Sequence, residues 1–119
     1  QYGIKYSTRE FYGIRLADGM YVKANEAYLK TLKFYLNELN NENFDFIFYI
    51  AGVDIHFNDR LGKLKISDDG IKKRDELVIE NFFSKRIPIC GVLGGGYNKD
   101  FNKLVELHSL LHQSCAKLI

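Results

Sequence analysis

One proline, one methionine, two cysteines and no tryptophan stand in a chain of 119 residues. Glycine and serine never pile up with that single proline, and no repeat recurs, so flexible spacers and repeat arrays are excluded and one domain is expected. Two cysteines without a CxxC exclude a disulfide scaffold and a zinc knuckle, and they suit a reducing compartment. Charge of one sign is also lacking: 17 Lys plus Arg face 15 Asp plus Glu, for a net +2. Nucleic acid and anionic membranes call for a clustered basic face, so the balance gives no reason to expect either as a partner. The longest apolar run, residues 46–53, is far short of the roughly 20 residues of a membrane span. The N-terminus lacks the basic-then-apolar layout of a signal peptide. A soluble, unexported, cytoplasmic protein is the expectation. The chain opens at Gln1 and not at methionine, which leaves a processed product or a piece of a longer chain open.

What is present is a globular composition, 46% hydrophobic and 14% aromatic, rich enough in apolar side chains to exclude disorder. Residues 44–50 (FDFIFYI) are almost continuously apolar, which predicts a strand covered on both faces, as parallel strands are. Residues 88–93 (PICGVL) predict a second buried strand containing Cys90. Pro88 stands at its first position, where a missing N–H does least harm. Between them Ser67 is a candidate N-cap, with Asp68 and Asp69 in the first turn. Ile71, Leu77, Val78, Phe82 and Phe83 then recur at helical spacing up to Arg86. Further helices are expected over about residues 25–40 and 99–118, the latter carrying Phe101, Leu104, Val105, Leu107, Leu110 and Leu111. Residues 12–16 read as a short strand ended by the Asp18-Gly19 turn.

Alternating strands and helices imply an α/β fold with a parallel sheet. Its crevice then lies beyond the carboxyl ends of the strands. Two loops follow such ends: one begins AGVD and the other is GGGY, so Asp54 and Tyr97 are expected to face one crevice. Three or four strands are few for a fold of this kind, which points to a sheet with part missing.

Each candidate has a structural reading beside the functional one. Gly94, Gly95, Gly96 and Tyr97 sit where phosphate loops sit. Yet position 99 is Lys99 where GxGxxG needs glycine, and no GK[ST] follows. A turn needing positive φ, or a loop whose glycines let backbone crowd a ligand, remain. Asp54 suits a metal ligand, a cap or a partner of Arg60, a structural role being favoured on the residues alone. Asp54 and His56, two apart, have the look of a two-ligand arm if the segment is extended. His108 and His112 share a helical face at a spacing zinc helices use. No glutamate stands at position 109, and they read as packing or surface residues. The run Lys72, Lys73, Arg74, Asp75, Glu76 reads as a solvated helix face.

The stretch AGVDIHFNDRLGKLKISDDGIKKRDELV, followed by IPICGVLGGGYNKDFNKLVELH, resembles the C-terminal part of the zinc-dependent histone deacetylase family. The nearest branch is class IV and the bacterial deacetylase-like proteins. AGVD, DRLG, GxxxRD and LGGGYxxD stand in the same order, over about residues 44–112, and TREFYGIRLADGMYVKANEAYL matches more weakly. MYVKAN after Asp18-Gly19 departs from the pattern, where relatives continue with another glycine and an acid.

The resemblance implies a three-layer α/β/α fold of the arginase/deacetylase type, around a parallel sheet of about eight strands, of which this chain is the C-terminal portion. It implies hydrolysis of an acyl group from lysine or a related acetylated amine. Asp54 falls on one zinc ligand, and Tyr97 on the tyrosine that stabilises the oxyanion. Gly94, Gly95 and Gly96 fall on the backbone lining the acyl channel. The family's Asp-x-His ligand pair and paired histidines belong to an earlier part, so His56 is not a ligand. His108 and His112, beyond the tyrosine loop, do not replace them. The chain alone is then expected to be inactive, with an incomplete zinc site, and to self-associate through its uncovered sheet. A non-catalytic α/β module, or more weakly a nucleotide-binding module, is the alternative.

Overall fold

The computed structural model describes residues 20–119. Its elements run α1 (Met20–Leu39), β1 (Ile47–Ala51), α2 (Asp68–Phe83), β2 (Ile89–Leu93) and α3 (Phe101–Ala116). The strand expected over residues 12–16 and the Asp18-Gly19 turn lie outside the described residues. β1 and β2 pair in parallel, with Ile47 opposite Ile89 and Ala51 opposite Leu93. Pro88 precedes the ladder, where it gives up no strand hydrogen bond. Its carbonyl accepts from the Ile47 N–H at 2.9 Å.

Local chemistry starts and stops the helices. Ser67 caps α2, its hydroxyl accepting from the Gly70 N–H at 3.2 Å, and Asp68 and Asp69 occupy the first turn. Asn25 of α1 clamps that cap: its amide donates to Ser67 Oγ at 2.6 Å, and its Oδ1 accepts from the Ser67 N–H at 3.1 Å. The clamp needs Gly70, because a Cβ there would overlap Asn25 and Ile66. α2 ends at Phe83, three residues before Arg86. There a positive φ of 58° turns the chain and the Ile87 N–H bonds back to the Phe82 carbonyl at 3.1 Å. Asp100 caps α3 in the same way as Ser67, accepting from the Lys103 N–H.

The helices share a core with one face of the strand pair. Ala24, Tyr28, Leu32 and Leu36 of α1, Ile71, Val78 and Phe82 of α2 and Leu107 of α3 are buried together, with Ile47, Tyr49 and Ile89 against them. Gly91 lets α3 approach β2, since a Cβ there would press on Leu111. Strand residues of the other parity point away. Phe48 is 73% and Ile50 70% exposed, with Phe46 and Val92 also open to solvent. The α/β class is as expected, but among the described residues only one sheet face is covered. Cys90 is therefore exposed and not buried, because it stands on the bare face. Phe101 and Val105 are exposed as well, so the buried stripe of α3 is Leu107, Leu111 and Ser114. No described helix is long and apolar enough to cross a membrane.

Candidate active site

Parallel pairing puts the ends of β1 and β2 on one edge, and the loops that follow are stitched together there. The Val53 N–H donates to the Gly95 carbonyl at 2.6 Å. Gly95 is the closest point. A Cβ on it would overlap the Asp54 carboxylate on one side and meet the Tyr97 ring at 3.3 Å on the other. Asp54 and Tyr97 are thus neighbours across one glycine, as the positions of the loops predict.

Neither side chain finds a partner among the described residues. Asp54 is half-buried, yet no described residue donates to or pairs with its carboxylate, and Arg60 makes no ion pair with it. The cap and the Arg60 pair favoured on sequence alone are therefore absent among the described residues. Tyr97 is 43% exposed, and no described group bonds its hydroxyl. A partly desolvated carboxylate with no donor is costly unless a cation or donor arrives from elsewhere, so Asp54 fits one ligand of a metal. It is one ligand only. Among the described residues no group of three His, Cys, Asp or Glu could hold an ion.

The glycine turn is not explained by positive φ: none of Gly94, Gly95 and Gly96 adopts it. Close approach explains all three. A Cβ on Gly94 would meet the Gly52 backbone, and one on Gly96 would meet Val53, Leu104 and His108. Of these three glycines, Gly95 is the one shown against the Asp54 carboxylate.

His56 does not join Asp54. The alternation argument needs extended backbone, but the His56 N–H donates to the Val53 carbonyl at 3.2 Å, closing a turn. The buried imidazole points away, with Nε2 2.6 Å from Asp68 Oδ1 while Nδ1 accepts from the Asn58 N–H. Lys103 holds the other oxygen of Asp68. On α3, His112 is exposed and His108 half-buried under the glycine turn. Burial, and then the Arg74 charge, push the His108 pKa below its ordinary value, with Asp75 opposing.

Three residues were missed on sequence alone. Asp59 is 8% exposed and binds three backbone amides. Arg74 and Asp75 are buried, not solvated. Arg74 Nε and Nη2 donate to Asp75 Oδ1 at 3.0 and 2.9 Å, and Nη1 donates to the Gly52 carbonyl at 2.5 Å, two residues before Asp54. The Tyr49 hydroxyl donates to the same Asp75 oxygen at 2.5 Å. The signal was available: residues 71, 74, 75, 78, 79 and 82 form one inward stripe, and leaving out 74 and 75 breaks it.

Comparison with known proteins gives the family. The histone deacetylase domain matches residues 13–110. The chain is 41% identical over 91 residues to an uncharacterized protein of Picosynechococcus sp., covering 76% of this chain and 30% of that one. It is 36% identical over 106 residues to histone deacetylase 2 of Arabidopsis thaliana, covering 87% and 27% respectively. The chain belongs to the histone deacetylase family, and it spans less than a third of the length of either relative.

Proposed function

We propose that the chain is the C-terminal portion of a zinc-dependent deacetylase acting on acyl-lysine or a related acetylated amine. Asp54 supplies one zinc ligand and Tyr97 the hydroxyl that stabilises the oxyanion. The observation that carries this reading is the meeting across Gly95 of a half-buried carboxylate and a phenol ring, neither with a side-chain partner among the described residues, at the edge where α/β sheets keep their sites. Zinc in such a site supplies Lewis-acid activation of a water and of the acyl carbonyl. The Tyr97 hydroxyl donates a hydrogen bond to the carbonyl oxygen as that oxygen gains negative charge, which lowers the barrier. The backbone of Gly94, Gly95 and Gly96 sets the wall beside which the acyl group lies. On this reading the remaining ligands and the general base come from an earlier part of the domain, as the family resemblance implies. Free Cys90 and Cys115 suit a reducing compartment, in keeping with a cytoplasmic protein.

The test uses a chain of the relatives' length and an acetyl-lysine peptide. It is expected to hydrolyse the peptide and to hold zinc, while the 119-residue chain does neither. In the longer chain, Tyr97→Phe is expected to keep zinc and lose about 10²-fold in rate, as removal of other oxyanion donors does. Full activity in that variant would remove the role given to the hydroxyl.

The bare sheet face carries the alternative, a non-catalytic α/β module. With Phe46, Phe48 and Ile50 open beside strand edges that are unpaired among the described residues, the 119-residue chain alone is expected to self-associate. Phe48→Glu with Ile50→Lys should return it to a monomer in size-exclusion chromatography with light scattering. A monomeric parent chain would show that this face needs no cover.

A further inference from the structure

Asp59 stands in the loop after β1, and its carboxylate does more than a turn requires. Oδ2 accepts from the Leu61 and Gly62 N–H groups at 3.0 and 2.7 Å, the local pattern by which an aspartate closes its own turn. Oδ1 reaches out of the loop and accepts from the Tyr97 N–H at 2.7 Å, across 38 positions of sequence. The residue is fixed from behind as well, its own N–H donating to the His56 carbonyl at 3.0 Å. His56 is itself held by Asp68. Two bonds therefore tie the Asp54 loop to the Tyr97 loop. One is backbone to backbone, Val53 to Gly95. The other depends on the Asp59 carboxylate, and it grips the residue that carries the phenol.

We propose that Asp59 is the positioning residue of Tyr97, clamping its backbone so that the ring stands beside Gly95, near the Asp54 carboxylate. It acts through Tyr97 and touches no substrate. This rests on the role given to Tyr97 above. A charged acceptor makes the stronger kind of amide hydrogen bond, and buried as it is, no water replaces it readily. Asparagine is isosteric but carries an NH2 on one side. Whichever way that amide turns, a donor faces either Tyr97 or the Leu61 and Gly62 pair.

The experiment uses the chain of the relatives' length, loaded with zinc, and an acetyl-lysine peptide. Asp59→Asn is expected to lower kcat about tenfold or more with KM within about twofold, zinc content unchanged. In a Tyr97→Phe background the same substitution should change kcat by less than about twofold, because the phenol it positions is gone. A merely structural Asp59 would lose the same factor in both backgrounds, and that result overturns the proposal. Should Asp59→Asn fail to fold, Asp59→Glu keeps the charge, shifts the oxygens by one methylene and is judged by the same cycle. Amide hydrogen exchange supplies the readout that does not depend on activity. Asp59→Asn should speed exchange at Tyr97 about tenfold while Val53 stays protected. That change in a protein without hydrolase activity would sink the deacetylase reading and leave the clamp standing. Unchanged Tyr97 exchange would sink the clamp.

Discussion

Asp54→Ala, in a chain of the relatives' length, is expected to remove bound zinc and abolish acyl-lysine hydrolysis without making the metal-free protein easier to unfold. The sign of the last effect is what separates the readings of this residue. If Asp54 were a cap, alanine would cost about 1 kcal/mol. If it paired with a surface arginine, the loss would be up to about 1 kcal/mol. The carboxylate makes neither interaction among the described residues. It lies folded over the end of β1 between Gly52 and Gly95, half out of water. Deleting a partly desolvated charge that no described group compensates is expected to cost the metal-free state little. With zinc present the comparison reverses. A ligand bound only by the folded parent adds about 2.7 kcal/mol at a hundredfold excess over its Kd, and the variant gains none of this. Melting curves of parent and variant with zinc and with chelator, together with metal analysis, read all four states. Stoichiometric zinc in Asp54→Ala, or a loss of 1 kcal/mol in the metal-free variant, would remove Asp54 from the metal site.

Sequence and structure agree where the signal is local. Ser67 with its two aspartates marks a helix start by capping chemistry alone, and Pro88 marks the edge of a strand because it has no N–H to give. The meeting of Asp54 and Tyr97 is legible one step further on, since parallel strands put both carboxyl ends on one edge. Burial is where the sequence reading stops short. The continuous apolar run of β1 predicts cover on both faces, but Phe48 and Ile50 are bare, and their composition says only that something apolar belongs on them. Cys90 is exposed for the same reason. Spacing also fails where it presumes a backbone state. Asp54 and His56 share a face only if the chain is extended, and a turn at Val53 separates them. Three glycines in a row cannot distinguish positive φ from close approach, because both tolerate no Cβ.

The largest stability effect is expected from the pair hidden in the charge run. Arg74→Met should cost about 3–5 kcal/mol, the usual consequence of leaving one member of a buried ion pair alone. Arg74 is 5% and Asp75 1% exposed. Burial works against the Arg74 charge, but Tyr49, Tyr28 and Asp75 around it outweigh that and raise its pKa. Burial likewise raises the Tyr49 pKa, against the pull of Arg74, so the phenol stays a donor to Asp75. Methionine fills much of the space but leaves Asp75 with one neutral donor and orphans the Gly52 carbonyl. Urea denaturation of parent and variant at pH 7.5 reads the size. Adding Asp75→Leu removes the stranded charge and should recover most of the loss. It should not restore zinc affinity, which a lost outer support typically lowers 10- to 100-fold, because the Gly52 carbonyl beside Asp54 is still unheld. A deficit below 1 kcal/mol at pH 7.5, or full zinc affinity in the double variant, would show that Arg74 supports neither the core nor the loop.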